Sequence, residues 1–256
     1  MVENGWRLMY QYDTDFYGYL ASFAVRSAKR VVPHLTRVLP VGSVVDFGCG
    51  QGAWLSVWHK AGAEIAGVDG AYVERSALLI DSASFRAADL AEPIDLGRCF
   101  DLVQSLEVAE HLPAARARQF VETLTAHGPC VLFSAAPPGQ GGEHHVNEQP
   151  PEYWRRLFRE RGFAAVDYLR PLICGDAAVK PWYRFNTLLY IAEDHLAAMP
   201  TALRERRVAD GVALADYRPL ACRLRQAALR HLPVAAVTRL SRLRASLATR
   251  KAAVIS

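Results

Sequence analysis

The chain has 256 residues, 51% of them hydrophobic, which suffices for one α/β domain with additions and a full buried core. Its five scattered cysteines contain no Cys-x-x-Cys pair, which argues against a disulfide framework and a zinc site. No apolar run approaches a membrane span or a signal segment, so we expect a cytoplasmic protein without a membrane span. The net charge is +4, but residues 1–200 hold 18 basic against 23 acidic residues, and we expect no nucleic-acid partner for this acidic body.

The first predicted helix spans residues 15–38, where apolar residues recur at helical spacing as far as Pro33. An aromatic cluster that includes Tyr12 and Tyr17 lies at its start. Packing of aromatic side chains in a core explains such a cluster, and contact with a bound ligand is the alternative.

An apolar strand that ends near Asp46 runs into a turn with three glycines at alternate positions: Gly48, Gly50 and Gly52. Glycine adopts positive φ freely and has no Cβ to keep a ligand away, so the turn predicts backbone packed against a small molecule. The spacing of the first two glycines also fits a dinucleotide fingerprint. Asp46 argues against that alternative, because a carboxylate beside the turn disfavours a phosphate and favours a cationic ligand.

A second apolar run ends at Asp69, at the predicted tip of the neighbouring parallel strand, where an acid can hold two ribose hydroxyls. Asp46, the glycine turn, Asp69 and the later Ala88-Asp89-Leu90 together resemble the class I S-adenosylmethionine-dependent methyltransferases, over roughly residues 40–195.

The resemblance implies S-adenosylmethionine as cofactor and S-adenosylhomocysteine as product. It assigns the three glycines to the methionine part, Asp69 to the ribose, and Asp89 and Leu90 to the adenine. We expect Asp46 and Gly70 to be further cofactor-binding residues. A leading segment often closes over the cofactor in this fold, which makes Tyr17 or Tyr12 a further candidate contact.

Further apolar strands are predicted at residues 85–88, 100–106, 130–135, 163–168 and 184–191, alternating with helices such as residues 114–126. The resemblance implies an α/β fold: a Rossmann-like sheet of seven strands, mostly parallel with the last strand antiparallel, flanked by helices. We place this methyltransferase domain at residues 1–195 and a basic helical extension at residues 196–256.

Two polar groups follow the fourth and fifth strands, at the carboxyl edge where open α/β sheets bind ligands. The first consists of Glu107, Glu110 and His111, which would share one face of a helix that starts there. Two carboxylates and an imidazole suit a divalent cation, Mg²⁺ or Mn²⁺ in preference to zinc. The alternative is that a helix N-terminus favours the two acids through its dipole.

The second group is His144 and His145, on a loop that combines paired prolines with several glycines. Neighbouring side chains of an extended chain point to opposite sides, so one histidine can face a metal or the cofactor while the other meets the substrate. Imidazole is well matched to proton removal near neutral pH. We therefore expect catalytic roles for His144, His145 and Glu107, and we expect the metal ligands to be Glu107, Glu110, His111 and His145.

The Glu-x-x-Glu-His pattern with a later histidine is similar to that of magnesium-dependent small-RNA 2′-O-methyltransferases and, in part, of ubiquinone-pathway O-methyltransferases. Residues 144–149, 153–154 and 182–186 look like bacterial O-methyltransferases of glycan biosynthesis, most sharply the mannoside enzymes of methylated polysaccharide pathways. This resemblance implies methyl transfer to a sugar or oligosaccharide hydroxyl, with a histidine base and Mg²⁺ assistance. It also implies that four residues contact the sugar: Trp182, Tyr183, Arg184 and Asn186. The alternative is that these residues form the edge of a core strand.

Two other functions are compatible with the sequence. A quinone or polyketide-type O-methyltransferase would have a more apolar pocket, and a non-catalytic S-adenosylmethionine-binding partner subunit would have lost the polar residues of both loops.

The last residues predict a basic amphipathic helix, in which Leu240, Leu243 and Leu247 recur at helical spacing among arginines. Packing, or a homodimer through the C-terminal helices, is favoured over contact with a membrane surface or a polyanion.

Overall fold

The computed structural model describes residues 14–230, with side chains from residue 21 onward. Seven strands form one sheet in the order β3-β2-β1-β4-β5-β7-β6. The strands are β1 (Ser43–Phe47), β2 (Glu64–Asp69), β3 (Phe85–Ala87), β4 (Leu102–Leu106), β5 (Cys130–Ser134), β6 (Phe163–Val166) and β7 (Leu188–Ala192). Pairing is parallel from β3 through β5, whereas β7 runs antiparallel to both β5 and β6. The predicted seven-stranded sheet with an antiparallel last strand is confirmed.

Helices lie on both faces of this sheet and continue beyond it. They are α1 (Thr14–Thr36), α2 (Ala53–Lys60), α3 (Ala117–Ala126), α4 (Pro151–Glu160), α5 (Arg170–Ile173), α6 (Pro181–Asn186), α7 (Glu193–Ala197), α8 (Thr201–Arg204) and α9 (Leu220–Leu229). One core packs α1 and α2 against the sheet, and a second core packs α3 and α4 against the opposite face.

The central strands β4 and β5 are buried at every position, as expected of strands that are covered on both faces. The register aligns Asp46 of β1 with Gln104 of β4, and Leu106 of β4 with Ser134 of β5. The carboxyl ends of β1, β2, β4 and β5 therefore meet along one edge, which positions the loops described below.

Helix α1 continues through Pro33 to Thr36, within the predicted span of residues 15–38. One predicted strand began several residues too early. The predicted strand at residues 184–191 begins only at Leu188, because Pro181 follows an extended Lys180 and starts α6. Proline is well suited to the first helical position, since its φ is already helical and the N–H it lacks would have no partner there.

The predicted helical extension is represented by α8 and α9, with residues 205–219 between them in no helix. The predicted amphipathic helix around Leu243 lies outside the described residues. None of the helices within residues 14–230 combines the length and the apolar character that crossing a bilayer requires.

Candidate active site

A cavity of about 790 Å³ opens at the carboxyl edge of the sheet, a volume typical of small-molecule sites. Most residues predicted to bind the cofactor lie in its wall: Asp46, Gly48, Gly50, Asp69, Gly70, Asp89 and Leu90. Ala21 and Ala24 of α1 also line it, so the leading helix contributes to the cavity. The side chain of Tyr17, and all of Tyr12, lie outside what the structure describes.

The three glycines of the turn after β1 have different roles. A Cβ on Gly48 (φ 88°) would lie 2.3 Å from a methyl carbon of Val108, so the loop after β4 requires glycine there. Gly50 (φ 53°) has no neighbouring atom within 4 Å of its absent Cβ, and the space in front of it belongs to the cavity. Gly52 lies outside the cavity wall, and a Cβ there would meet Ile80 at 2.8 Å. Of the three, Gly50 has the position best suited to close approach of a ligand.

Asp69 is buried at the end of β2 and accepts three hydrogen bonds. Its Oδ2 accepts from the Gly50 N–H at 2.6 Å, and its Oδ1 accepts from the Gly70 N–H at 2.6 Å and the Tyr72 hydroxyl at 2.5 Å. Burial raises the pKa of this carboxyl, and the three donors oppose the rise. Sequence reasoning missed Tyr72, because a tyrosine three residues after a strand carries no specific signal.

Asp46 belongs to a buried polar chain that crosses the central strands. Gln104 donates to Asp46 Oδ2 at 2.8 Å and accepts from the Trp58 indole N–H at 3.1 Å. The other oxygen, Oδ1, has no hydrogen-bond partner among the described residues. Burial raises the pKa of Asp46 to about 8, so a neighbouring positive charge is needed to ionise it fully at neutral pH. Gln104 could have been detected from the sequence, because an amide is unusual in the middle of a buried strand.

The predicted helix at Glu107 does not form. Glu107 adopts a positive φ of 58°, its N–H donates to the Ser134 carbonyl at 2.9 Å, and only a 3₁₀ turn follows at Ala109–His111. The expected shared helix face of Glu107, Glu110 and His111 is therefore absent. The Glu107 carboxylate instead accepts hydrogen bonds from the Gln140 amide at 2.5 Å and the Asn186 amide at 3.2 Å. Burial raises the pKa of Glu107, and these donors oppose the rise.

Glu110, His111 and His145 nevertheless come together, with one ligand atom from each within 4.8 Å of the others. The Glu110 side chain is buried, and neither of its oxygens nor the His111 Nδ1 has a hydrogen-bond partner in the described part of the chain. Burial, reinforced by the charge of Glu107, raises the pKa of Glu110, whereas burial lowers that of His111 to about 4. His111 is therefore neutral at pH 7, as a metal ligand must be. Three of the four predicted ligands form this cluster, and Glu107 lies outside it.

The loop after β5 is tied to the loop after β4 by backbone hydrogen bonds. The N–H groups of Val146 and Asn147 both donate to the Glu110 carbonyl, at 2.9 and 3.0 Å, and the Asn147 amide donates to the Ala109 carbonyl at 3.3 Å. These bonds hold His145 beside His111, with ring centroids 4.9 Å apart at 88°.

Glu148 holds His145 in one orientation. Its Oε1 accepts from His145 Nδ1 at 2.8 Å and from the Gly141 N–H at 2.9 Å, and its Oε2 accepts from the Gly139 N–H at 2.8 Å. Burial raises the pKa of Glu148, but the donors outweigh burial and leave it below its usual value. An ionised carboxylate only accepts, so the proton of a neutral His145 is on Nδ1 and Nε2 keeps its lone pair. His144, which has a φ of 58°, is not in the cavity wall.

The four residues predicted to contact a sugar all lie on α6, but only two of them line the cavity. Trp182 and Tyr183 line the cavity, and Tyr183 packs edge-on against the Trp54 ring at 5.1 Å. Arg184 donates to the Cys174 carbonyl at 3.5 Å and is not in the wall. The Asn186 amide donates hydrogen bonds to the Glu107 carboxylate and, at 2.8 Å, to the Gln140 side-chain oxygen. The predicted strand edge is thus a helix that presents two aromatic rings to the cavity.

A family model described as a methyltransferase domain matches residues 23–168, which is more than half of the chain. The chain belongs to this methyltransferase family. The family and the fold confirm the prediction that the protein is a methyltransferase. Its methyl donor is S-adenosylmethionine, as predicted. A search of curated proteins gives no match.

Solved structures share the fold of this methyltransferase at low sequence identity. The sugar N-methyltransferase KedS8 from a Streptoalloteichus species is 18% identical, with a TM-score of 0.57 over 75% of this chain and 96% of its own. DesVI of Streptomyces venezuelae is 14% identical, with a TM-score of 0.55 over 71% and 99%. A magnesium protoporphyrin IX methyltransferase from Synechocystis, with bound S-adenosylmethionine, is 19% identical, with a TM-score of 0.50 over 73% and 88%.

Proposed function

We propose that this methyltransferase transfers the methyl group of S-adenosylmethionine to a hydroxyl of a sugar or oligosaccharide. The observation that carries the proposal is the convergence of Glu110, His111 and His145, with Glu107 nearby, in the same cavity as the glycine turn. The fold shared with a sugar N-methyltransferase supports a carbohydrate acceptor. A mannoside of a methylated polysaccharide pathway is the narrowest form of the proposal.

A sugar hydroxyl is a very weak acid, so its methylation needs help in removing the proton. The cluster fits a divalent cation, because a buried carboxylate with two unpartnered oxygens lies beside a neutral imidazole. Glu110, His111 and His145 would hold the ion, which when bound would supply a Lewis acid that lowers the pKa of a coordinated hydroxyl. Of the two ions that the sequence suggested, two imidazoles among three protein donors suit Mn²⁺ better than Mg²⁺.

Glu107 is then the group that receives the proton. It lines the cavity outside the cluster, and burial raises its pKa toward the range in which a carboxylate accepts protons well. The Gln140 and Asn186 amides fix its orientation. In this assignment His145 is a ligand instead of the base, and His144 has no direct role.

An amine acceptor is the second candidate, favoured by the N-methyltransferase among the structural neighbours. A neutral amine attacks through its own lone pair and needs no metal-assisted loss of a proton. The cluster of Glu110, His111 and His145 therefore weighs toward a hydroxyl.

The decisive experiment is an acceptor panel scored by S-adenosylhomocysteine release. It compares sugars and short oligosaccharides, matched amino sugars, and phenols or quinols, each with and without added protein. Release with hydroxyl sugars alone supports the proposal. Turnover only with amino sugars, only with quinols, or with no acceptor would contradict it in favour of N-methylation, a quinone-type enzyme or a binding subunit.

The metal is tested separately by calorimetric titration of Mn²⁺ and Mg²⁺ into chelator-treated protein. We expect binding that is lost in Glu110→Gln and unaffected in Glu122→Gln, which changes a partly exposed position of α3 that does not line the cavity. Activity that persists in chelator, together with no heat of metal binding, would contradict metal assistance. It would not contradict methyl transfer.

A further inference from the structure

Helix α9 lies directly on the outer side of the loop at residues 137–142, which we call the β5 loop. Gly139 of this loop is buried at a φ of 80°, and a Cβ there would lie only 2.2 Å from the Gln226 carbonyl oxygen. Arg225 of the same helix donates to the Gln140 carbonyl at 3.1 Å. The helix and the loop are therefore in contact backbone to backbone, which glycine permits because it has no side chain.

The inner side of the β5 loop faces the proposed reaction centre. The Gln140 side chain binds Glu107, and the N–H groups of Gly139 and Gly141 bind Glu148, which orients His145. One short segment thus connects α9 to both the candidate base and a candidate ligand.

The position of α9 is itself fixed by contacts with the preceding segment. Gln226 is the one buried residue of α9, and its side-chain oxygen accepts from Arg218. Arg218 is held in turn by Asp216, at 2.7 and 2.8 Å. The helix lies beyond residues 23–168, the part of the chain that the family model matches.

We propose that α9 is a positioning element of the active site: it holds the β5 loop so that Glu107 and His145 keep their catalytic orientation. The proposal rests on the proposed function for the chemistry of those two residues. The contact between α9 and the β5 loop does not depend on which acceptor is methylated. Its consequence is that a change on α9, outside the cavity, lowers turnover without lowering cofactor affinity.

The test compares two glycine substitutions in the full chain. Gly139→Ala introduces both a strained positive φ and a collision with Gln226, whereas Gly162→Ala (φ 77°) introduces the strain alone, with no atom within 4 Å of the new Cβ. Two readouts are taken for each variant. Hydrogen exchange of residues 137–149 reports on the loop whatever the acceptor is, and calorimetry with S-adenosylhomocysteine reports on the cofactor site.

We expect faster exchange of residues 137–149 in Gly139→Ala only, with cofactor affinity within about threefold of the parent and kcat lowered by about 10- to 100-fold. Arg225→Ala should lower kcat by about fivefold, the loss expected for one hydrogen bond. Arg225→Lys, which keeps a donor, should recover most of that loss. Leu224→Ala, at an exposed position of the same helix, is the matched control.

Equal exchange in Gly139→Ala and Gly162→Ala would overturn the proposal, as would a loss of cofactor affinity that matches the loss of kcat. A failure of the proposed function looks different: the parent then turns over no sugar, while the exchange difference between the two glycine variants is still measurable.

Discussion

The two halves of the cavity are built differently. In the cofactor half, at the ends of β1 and β2, Asp69 has three donors and the surface is largely backbone. In the acceptor half, formed by the loops after β4 and β5, Glu110 is buried with no partner for either oxygen within the described structure. Burying an unpaired polar group costs free energy, so such a group persists where something outside the chain completes it. Among the described residues, the cofactor half leaves Asp46 Oδ1 without a hydrogen-bond partner, whereas the acceptor half leaves three such atoms, both carboxyl oxygens of Glu110 and the His111 Nδ1. Both halves therefore have polar atoms for a ligand to complete, and the acceptor half has more of them.

The largest expected effect that separates the two halves is that of His145→Ala. Loss of this side chain should lower turnover by about 10³-fold, within the range for removal of a group that assists proton transfer. S-adenosylhomocysteine affinity, measured by calorimetry, should stay within a few-fold. His144→Ala should have a much smaller effect because His144 is outside the cavity wall. His59→Ala, at an exposed position near the end of α2, is the control. The reverse order of the two loop histidines would contradict the assignment.

Glu148→Gln should lower metal affinity in the acceptor half and leave cofactor affinity unchanged. A carboxylate that orients a metal-binding histidine typically contributes about 10- to 100-fold to metal affinity, and a loss of that size is expected for Mn²⁺. The measurement is electron paramagnetic resonance of free Mn²⁺ in a titration, with Glu122→Gln as the control. Unchanged metal affinity would show that His145 keeps its orientation without Glu148.

Gly50→Ala should act only on the cofactor half. The new methyl group meets no protein atom within 4 Å but projects from the turn that faces the cavity, so S-adenosylmethionine affinity should fall about tenfold. Gly62→Ala, at a φ of 95° with equally open surroundings outside the cavity, provides the matched backbone strain. If both variants bind the cofactor like the parent, the assignment of Gly50 is wrong.

The smallest expected effect concerns the proton on Asp46. Because its pKa is raised to about 8, the folded protein without cofactor holds this proton over most of the range from pH 4 to 8. A bound cation favours the ionised form, so cofactor binding should release up to one proton, and affinity should rise as the pH is raised from 6 to 8. Calorimetry at pH 7 in two buffers of different ionisation enthalpy measures the release, and Asp46→Asn should abolish it. Equal release by Asp46→Asn would assign the proton to another group.

The cofactor half was predictable because its signals are local. A strand, an acid, a glycine turn and a second strand-end acid are consecutive features, and parallel pairing alone brings Asp46 and Asp69 to one edge. Two side chains of this half were not predicted, because their roles depend on packing. Tyr72 donates a hydrogen bond to Asp69, and Gln104 donates one to Asp46.

The acceptor half was predictable in its residue types but not in its geometry. The helix expected at Glu107 is replaced by a left-handed residue and a 3₁₀ turn, and Gln140 and Asn186 were not recognised as the partners of Glu107. These partners lie 33 and 79 residues away along the chain. Their meeting depends on the loops after β5 and on α6, which no local periodicity encodes.

The sequence by itself therefore determined the parallel strands and the cofactor edge, because alternating strands and helices leave few ways to pair and a glycine turn acts on its own neighbours. The antiparallel last strand followed from the family resemblance of the sequence. Only the tertiary structure decided which polar side chains meet. It removed Glu107 from the predicted metal cluster, gave Glu107 the partners Gln140 and Asn186, and brought α9 against the β5 loop. Such contacts arise from the packing of distant segments, and a residue's type does not state which segment will reach it.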